Sequence, residues 1–254
     1  MNKIYNSKIL KEKGYIKIYP AFTNKEFDLI KKAIDQQYKE VISQKNIPIN
    51  LLENHFSREF KVGNYHKISH LLNHEATWPK ISRVLPPNFA KWFLGTSYIE
   101  KLREIYGKIS ITDEESLGYP NIYWRLVRPN ISRDVGAFHR DAWFWEIDKL
   151  NGKKFIPYKR LKSWLSINVE SGKNGLMVIP RSHKEDQIEW ELYKKDGKLK
   201  PKLLTPIDQK KKVLLKTQNN TVILFDDKLI HGGSENNGLS TRVSLEFTIF
   251  LENE

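Results

Sequence analysis

Phe138-His139-Arg140-Asp141 is the stretch of the chain that says most about its fold and its chemistry. We predict a β-strand over Gly136–Phe144, and residues two apart in a strand project from the same face. His139 and Asp141 are therefore expected to grip one ion together. An imidazole and a carboxylate are two of the three ligands of the 2-His-1-carboxylate triad, which holds Fe(II) and leaves coordination positions open. His-x-Asp alone is weak evidence, because it also arises by chance.

Two later segments extend this pattern. His231 stands 90 positions after Asp141, at the start of a predicted strand, and two glycines follow it. Arg242 lies eleven residues further on and shares a strand face with Ser244. A buried arginine needs an anionic partner, and a dicarboxylate held by a bidentate guanidinium is suitable. The sequence therefore predicts a metal triad and a carboxylate-binding pair at the same end of the fold.

The rest of the chain divides into a helical first part and a β-rich second part. Residues 15–19 form a predicted strand, and Thr23 with Glu26 forms a capping box that begins an amphipathic helix reaching about residue 42. Ser97 and Glu100 form a second capping box, which predicts a helix over 98–106. From residue 121, short strands alternate with turn clusters, a pattern typical of a sandwich or barrel. The predicted strands are 121–128, 136–144, 163–169, 176–179, 213–216, 221–225 and 242–250.

Composition limits the class of protein. Hydrophobic residues make up 39% of the 254 residues, enough for a core, and β-rich domains of this length often form one unit. We predict a single domain over 1–254, with helical support in 1–110 and the β core in 111–254. The absence of cysteine leaves histidine and carboxylate as metal ligands. Neither a secretory signal nor a membrane-spanning apolar run is visible, so we expect a cytoplasmic protein.

The net charge of +13 points towards anionic partners. Basic runs are short, Lys210–Lys212 being the longest, and no arginine-rich arm or known nucleic-acid motif is present. We therefore expect a solvated basic surface and a small-molecule substrate, with an anionic one among the options, rather than nucleic acid.

The chain resembles the phytanoyl-CoA dioxygenase family of Fe(II)/2-oxoglutarate-dependent oxygenases over nearly its whole length. Gly175–His183 is similar to the N-G-x-L-x-V-x-P-G-S-H stretch of that family. Arg181 stands where the family usually has glycine, which we expect to alter a turn. The other matching residues are His139, Asp141, His231, Arg242 and Ser244.

The resemblance implies a mainly β fold with flanking helices, built on a double-stranded β-helix (jelly-roll, cupin-like) core. It implies that His139, Asp141 and His231, hereafter the triad, bind iron. Arg242 and Ser244 are then expected on the distal carboxylate of 2-oxoglutarate. Trp164 falls where the family has a tryptophan beside this cosubstrate.

The implied activity uses Fe(II), O2 and 2-oxoglutarate to oxidise a C–H bond of a small metabolite, sugar or natural-product intermediate, releasing succinate and CO2. Asp141 stands where related halogenases have alanine or glycine, which favours hydroxylation or desaturation. Two other functions stay open: a jelly-roll binding protein without catalysis, and a nucleic-acid-modifying dioxygenase.

Trp143 and Trp145 share strand parity with Asp141, so we predict them on the substrate side of the metal, with core packing as the alternative. No metal role is predicted for the remaining histidines and acidic pair. His66, His70 and His74 are spaced for one helix face, but exposed or capping roles explain them more simply than zinc. His183 is expected to be structural, and Asp226 and Asp227 to be turn residues.

Overall fold

Helices dominate the first half of the chain and strands the second. The computed structural model describes residues 7–150, 158–195 and 198–252. Its helices are α1 (Ser7–Lys13), α2 (Asn24–Ser43), α3 (Ile49–Phe56), α4 (His74–Thr77), α5 (Pro87–Phe93), α6 (Ser97–Tyr106) and α7 (Asp141–Leu150). Its strands are β1 (Tyr15–Ile18), β2 (Ile109–Ile111), β3 (Tyr123–Val127), β4 (Lys159–Asn168), β5 (Leu176–Val178), β6 (Trp190–Lys195), β7 (Lys198–Leu203), β8 (Val213–Leu214), β9 (Val222–Asp226), β10 (His231–Gly233) and β11 (Arg242–Leu251).

Helix α2 begins at the predicted capping box. The Thr23 hydroxyl accepts the Glu26 amide at 3.3 Å, and the Glu26 carboxylate accepts the Thr23 amide at 2.9 Å. One stripe of the helix is buried at helical spacing, which is why this segment needs tertiary packing to be stable. The buried apolar residues of that stripe are Ile30, Ile34, Tyr38 and Ile42.

Helix α6 begins differently from the prediction. Its N-cap is Thr96, whose side chain makes no capping hydrogen bond, so the predicted Ser97–Glu100 box is wrong. Glu26 takes its place: its carboxylate accepts the Ser97 amide at 2.7 Å and the Ser97 hydroxyl at 2.6 Å. An acidic group near a helix N-terminus is favourable, so one carboxylate joins the starts of α2 and α6. No local sequence pattern contains this contact.

Two antiparallel sheets form the β core. The larger has the order β1-β9-β4-β11-β2, with β3 also paired to β11, and the smaller has the order β10-β5-β8. Strands β6 and β7 form a separate hairpin. The inner faces of the two sheets share a small apolar cluster that contains Trp164, Leu176, Val178, Ile223 and Phe225. This is the arrangement of a double-stranded β-helix.

Strand β11 separates the main core from the space between the sheets. Alternate residues on one face pack with the N-terminal helices, namely Val243, Leu245, Phe247 and Ile249. The opposite face is polar and carries Arg242, Ser244, Glu246 and Thr248. Strand alternation thus places a row of polar side chains inside the fold. No helix within the described residues is both long and apolar enough to cross a membrane.

The predicted strand over Gly136–Phe144 is wrong. His139 makes only an isolated bridge, to His231, and Asp141 is the first residue of α7. The Ala142 amide bonds to the Asp227 carbonyl at 2.9 Å, which turns the chain away from the sheet. In the helix, Trp143 and Ile147 lie one turn apart and are both buried. This packing outweighs the strand preference of the aromatic run.

Candidate active site

The triad residues converge although His231 is far from the other two in the sequence. His139 precedes α7, Asp141 begins it, and His231 begins β10. His139 Nε2 is 3.7 Å from Asp141 Oδ1, and His231 Nε2 is 3.4 Å from Asp141 Oδ2. One ligand atom from each residue lies within 4.8 Å of the others. Two imidazoles and one carboxylate at this separation suit a single divalent cation.

Backbone hydrogen bonds fix both imidazoles. His139 and His231 exchange reciprocal amide-to-carbonyl bonds of 3.0 Å. Each ring donates its Nδ1–H to a carbonyl two residues earlier, His139 to Ala137 at 2.8 Å and His231 to Leu229 at 2.9 Å. These bonds select the tautomer in which Nε2 carries the lone pair that a metal requires.

The charge states also fit a cation. Burial lowers the pKa of His231 to about 4, so this ring is neutral at pH 7. Burial alone would raise the pKa of Asp141, but the positive charge of Lys162, with smaller contributions from the neighbouring His231 and His139, lowers it below its usual range. Asp141 Oδ2 is buried and has no hydrogen-bond partner among the described residues. A divalent cation would satisfy this oxygen, so the triad fits Fe(II).

Lys162 is the immediate cationic neighbour of the triad, and the sequence did not reveal it. Its Nζ lies 4.0 Å from Asp141 Oδ1, 3.8 Å from Glu114 Oε1 and 3.1 Å from the Thr248 hydroxyl. Burial would lower the pKa of Lys162, but Asp141 and Glu114 raise it above its usual range. The ammonium is therefore charged and compensates two buried carboxylates.

The predicted carboxylate-binding pair lies on the polar face of β11. Arg242 is buried, and its Nη1 donates to the Gly175 carbonyl at 2.8 Å. Burial, and then the charge of Arg125, lower the pKa of Arg242 to about 10, which still leaves it protonated. The Nε of Arg242 and the hydroxyl of Ser244 are buried without partners in the described part of the chain. Such orphaned groups are what a bound carboxylate would satisfy.

The triad opens into a cavity between the sheets. Trp164 from β4, with Leu176 and Phe225, forms apolar wall beside His231. Trp164 and the triad line the same cavity, and the place of Trp164 beside the cosubstrate stays a prediction. The lining also includes charged residues, namely Arg83, Arg125, Asp134, Lys162, Arg242 and Glu246.

Trp143 and Trp145 do not line this cavity. Trp143 stacks on Trp190, with ring centroids 5.3 Å apart and an interplanar angle of 12°, and it is buried. Trp145 contacts Phe250 at 5.5 Å between centroids. The strand-parity argument for a substrate-side position fails because this segment is helical. Trp143 therefore has the alternative role, packing in the core.

His66, His70 and His74 lie on three separate short helical turns and not on one helix face. His70 is exposed, as expected, and His66 bonds through Nδ1 to the Thr241 hydroxyl at 3.1 Å. His74 differs from the prediction, since it lines the cavity, with Nδ1 3.2 Å from the Tyr65 hydroxyl. Within the described ranges, the only metal-competent group of three is the triad.

The other predicted structural residues have local partners. His183 donates from Nε2 to the Lys11 carbonyl at 3.1 Å. Asp226 accepts the Lys228 amide at 2.9 Å in a turn, whereas the buried Asp227 pairs with Arg160 at 2.6 Å. Arg181 has a φ of 70°, in the left-handed region that favours glycine.

A jelly-roll core with two histidines and one carboxylate beside a buried arginine is the arrangement of a non-haem Fe(II)/2-oxoglutarate-dependent oxygenase. The chain belongs to the phytanoyl-CoA dioxygenase (PhyH) family, whose model matches residues 10–244. The predicted enzyme class, with Fe(II) as metal and 2-oxoglutarate as cosubstrate, is thereby confirmed. A search of curated proteins finds no match.

Solved structures of non-haem oxygenases share this fold. EvdO2 from Micromonospora carbonacea var. aurantiaca, complexed with 2-oxoglutarate, has a TM-score of 0.62 and 11% identity over 99% of this chain and 91% of that one. EctD from S. alaskensis, with 2-oxoglutarate and 5-hydroxyectoine, has a TM-score of 0.57 and 14% identity over 98% of this chain and 76% of that one. The carbocyclase SnoK from nogalamycin biosynthesis has a TM-score of 0.53 and 11% identity, over 98% and 84%. The predicted fold class is confirmed.

Proposed function

We propose that this chain, acting as one oxygenase domain, hydroxylates or desaturates a C–H bond of a small anionic molecule. His139, Asp141 and His231 hold Fe(II), and Arg242 with Ser244 holds the distal carboxylate of 2-oxoglutarate beside Trp164. The observation that carries this proposal is a set of buried polar atoms without hydrogen-bond partners in the described part of the chain, two of them on the cavity-lining residues Asp141 and Arg242 and one on Ser244, two residues after Arg242 on β11. Asp141 Oδ2, Arg242 Nε and the Ser244 hydroxyl are all buried without partners among the described residues.

Each residue has a definite task in this reaction. When bound, Fe(II) and 2-oxoglutarate supply the activation of O2 and the oxidative decarboxylation to succinate and CO2. The chain would offer the metal two Nε2 lone pairs and one carboxylate, a ligand set that leaves coordination positions for the reactants. Arg242 orients the cosubstrate through its guanidinium, and Trp164, Leu176 and Phe225 exclude water from the reacting atoms.

The charge of the protein supports an acidic substrate. The chain carries +13 overall, and four of the cavity-lining residues are arginine or lysine. Three carboxylates, those of Asp134, Asp141 and Glu246, also line the cavity, so the cations exceed the anions by one and favour a bound anion. A small molecule with an acidic group fits this cavity better than a neutral one.

The test begins with metal-free protein under anaerobic conditions. Adding Fe(II) and 2-oxoglutarate should produce the visible charge-transfer band of the chelate. His231→Ala should lose the metal and the band, whereas Arg242→Ala should still bind Mn(II) but require much more 2-oxoglutarate. His70→Ala and Arg103→Ala alter the same residue types away from the cavity and should resemble the wild type. Absence of a band in the wild type, with no thermal stabilisation by either ligand, contradicts the proposal and favours the binding-protein alternative.

A further inference from the structure

Arg83 is a fixed cation in the cavity wall with no carboxylate partner. Its Nε donates to the Trp78 carbonyl at 3.2 Å and its Nη1 to the Trp124 carbonyl at 3.1 Å. Two backbone contacts hold the plane of the guanidinium without neutralising its charge. In the described part of the chain no carboxylate lies within ion-pair distance of Arg83, and its Nη2 makes no hydrogen bond. The guanidinium of Arg83 is therefore positioned to bind an anion in the cavity.

Arg125 provides a second cationic edge in the same wall. It lies on β3, opposite Ser244 in the register, and its Nε donates to the Glu246 carboxylate. That contact uses Nε, and the two Nη atoms have no hydrogen-bond partner among the described residues. The side chain lines the cavity and is 48% exposed, so its Nη donors are accessible to a ligand.

The cations of the cavity can be matched to their partners. Asp134 forms an ion pair with Arg128, whose Nη2 lies 2.7 Å from Asp134 Oδ1. Glu246 forms an ion pair with Arg125. Asp141 faces the metal position, and Lys162 compensates Asp141 and Glu114. Arg242 is reserved for the cosubstrate under the proposed function. The guanidinium left without an anion is that of Arg83.

Mutual repulsion strengthens this conclusion. Burial, followed by the charge of Arg125, lowers the pKa of both Arg83 and Arg242 to about 10, and the opposing charge of Glu246 offsets this only in part. All three guanidinium groups stay protonated at neutral pH, so like charges converge on one cavity. An unpaired, partly buried charge is unfavourable, and an anion between these groups would relieve it.

We propose that Arg83 and Arg125 form a substrate subsite for a carboxylate, separate from the cosubstrate position at Arg242. This inference rests on the proposed function, since it assigns Arg242 to 2-oxoglutarate. A planar carboxylate accepts two parallel hydrogen bonds from a guanidinium edge, and both arginines offer unpaired donors. One unpaired positive charge matches a monoanion better than a phosphate dianion. The substrate class is therefore a small monocarboxylate, with its reacting carbon towards the triad.

The experiment uses the anaerobic Fe(II) and 2-oxoglutarate complex of the full chain, with benzoate as the probe. Benzamide, its neutral isostere, and phenyl phosphate are the comparison ligands, and binding is followed by the chelate band and the thermal midpoint. We expect benzoate to bind and benzamide to bind much more weakly. Arg83→Met and Arg125→Met should each weaken benzoate about tenfold or more, the loss typical of a charged hydrogen bond. Their 2-oxoglutarate affinity should stay within about twofold of wild type, since Arg242 is intact.

Two further variants serve as a control and as a conservative replacement. Arg103 also donates to a backbone carbonyl, that of Leu94 at 2.7 Å, but lies outside the cavity. The control variant Arg103→Met should therefore bind benzoate as the wild type does. Arg83→Lys keeps the charge and loses the fork, so it should bind benzoate with intermediate affinity, and it replaces Arg83→Met if that variant does not fold.

The outcomes separate the two proposals. A wild type that forms the chelate but binds benzoate no better than benzamide overturns the subsite and leaves the proposed function intact. Loss of 2-oxoglutarate affinity in Arg83→Met or Arg125→Met assigns these arginines to the cosubstrate and also overturns it. Tighter binding of phenyl phosphate than benzoate overturns the carboxylate assignment. A wild type without the chelate band refutes the proposed function, and the subsite with it.

Discussion

Replacing Lys162 with methionine removes the charge that compensates Asp141 in the metal-free protein. The two groups are 4.0 Å apart, and unit charges at that distance attract by about 4 kcal/mol at an effective dielectric constant of about 20. The lysine is buried, so truncation leaves Asp141 and Glu114 short of positive charge without restoring water to them. Breaking a buried ion pair on one side costs about 3–5 kcal/mol, and we expect the free energy of unfolding to fall by that amount.

The metal provides the decisive comparison. A divalent cation at the triad takes over the neutralisation of Asp141, so the loss in Lys162→Met should be smaller with saturating Mn(II) than with chelator. The assay is denaturant unfolding under both conditions. Lys17→Met, which truncates an exposed lysine on β1, is the matched control and should change little in either condition.

Two results would refute this reasoning. An unchanged free energy of unfolding in metal-free Lys162→Met means that the lysine does not compensate Asp141. An equal loss with and without Mn(II) means that its partner is Glu114, and the double variant Lys162→Met with Glu114→Gln should then recover most of the stability.

Three other perturbations follow from the site and the core. Arg242→Met should weaken 2-oxoglutarate on the order of tenfold to a hundredfold in a chelate titration while leaving the Mn(II) affinity unchanged; equal affinities would remove Arg242 from the cosubstrate position. Burial lowers the pKa of His55 from 6.5 to about 4, so stability should fall as the pH drops from 6.5 to 4, by about 3 kcal/mol from this residue. His55→Gln should flatten that slope in unfolding measured at several pH values, and an unaltered slope would contradict the assignment. Trp143→Ala should lose about 3–5 kcal/mol of stability, because it stacks on Trp190 in the core, but should keep the chelate band; a lost band in a folded variant would return Trp143 to the metal side.

The sequence predicted the ligand set because each ligand has a local marker. His139 and Asp141 are adjacent in a short motif, and His231 is followed by glycines beside a buried strand. Strand alternation also predicted that Arg242 and Ser244 share a face, and the same alternation holds for the rest of β11. These features depend on neighbours in the chain, so they are visible without tertiary structure.

The helix that begins at Asp141 was not predicted, although one signal for it exists. Aromatic residues at 143–145 favour a strand, but Trp143 and Ile147 have the i, i+4 spacing of a buried helix face. The competing preferences are decided by packing against Trp190 and Ile230, which lie more than 40 residues away. Local pattern cannot resolve such a case.

The charged wall of the cavity has no local marker either. Arg83 ends a short 3-10 helix (Lys80–Arg83), Arg125 lies on β3 and Lys162 on β4, and each resembles an ordinary surface cation in the sequence. Glu114 meets Lys162 only because two distant segments approach each other. The charged wall is therefore the part of the site that could not be predicted without the fold, whereas the triad could be predicted from short motifs.

The reciprocal bridge between His139 and His231 links metal occupancy to the closure of the fold. Two backbone hydrogen bonds join segments that are 92 residues apart, and both imidazoles are anchored to that junction. A cation shared by the rings binds only when the junction is closed, so it must raise the free energy of opening by RT ln(1 + [M]/Kd). The amides of these two histidines are thus local reporters of metal occupancy, and their hydrogen exchange should slow in proportion to the metal bound.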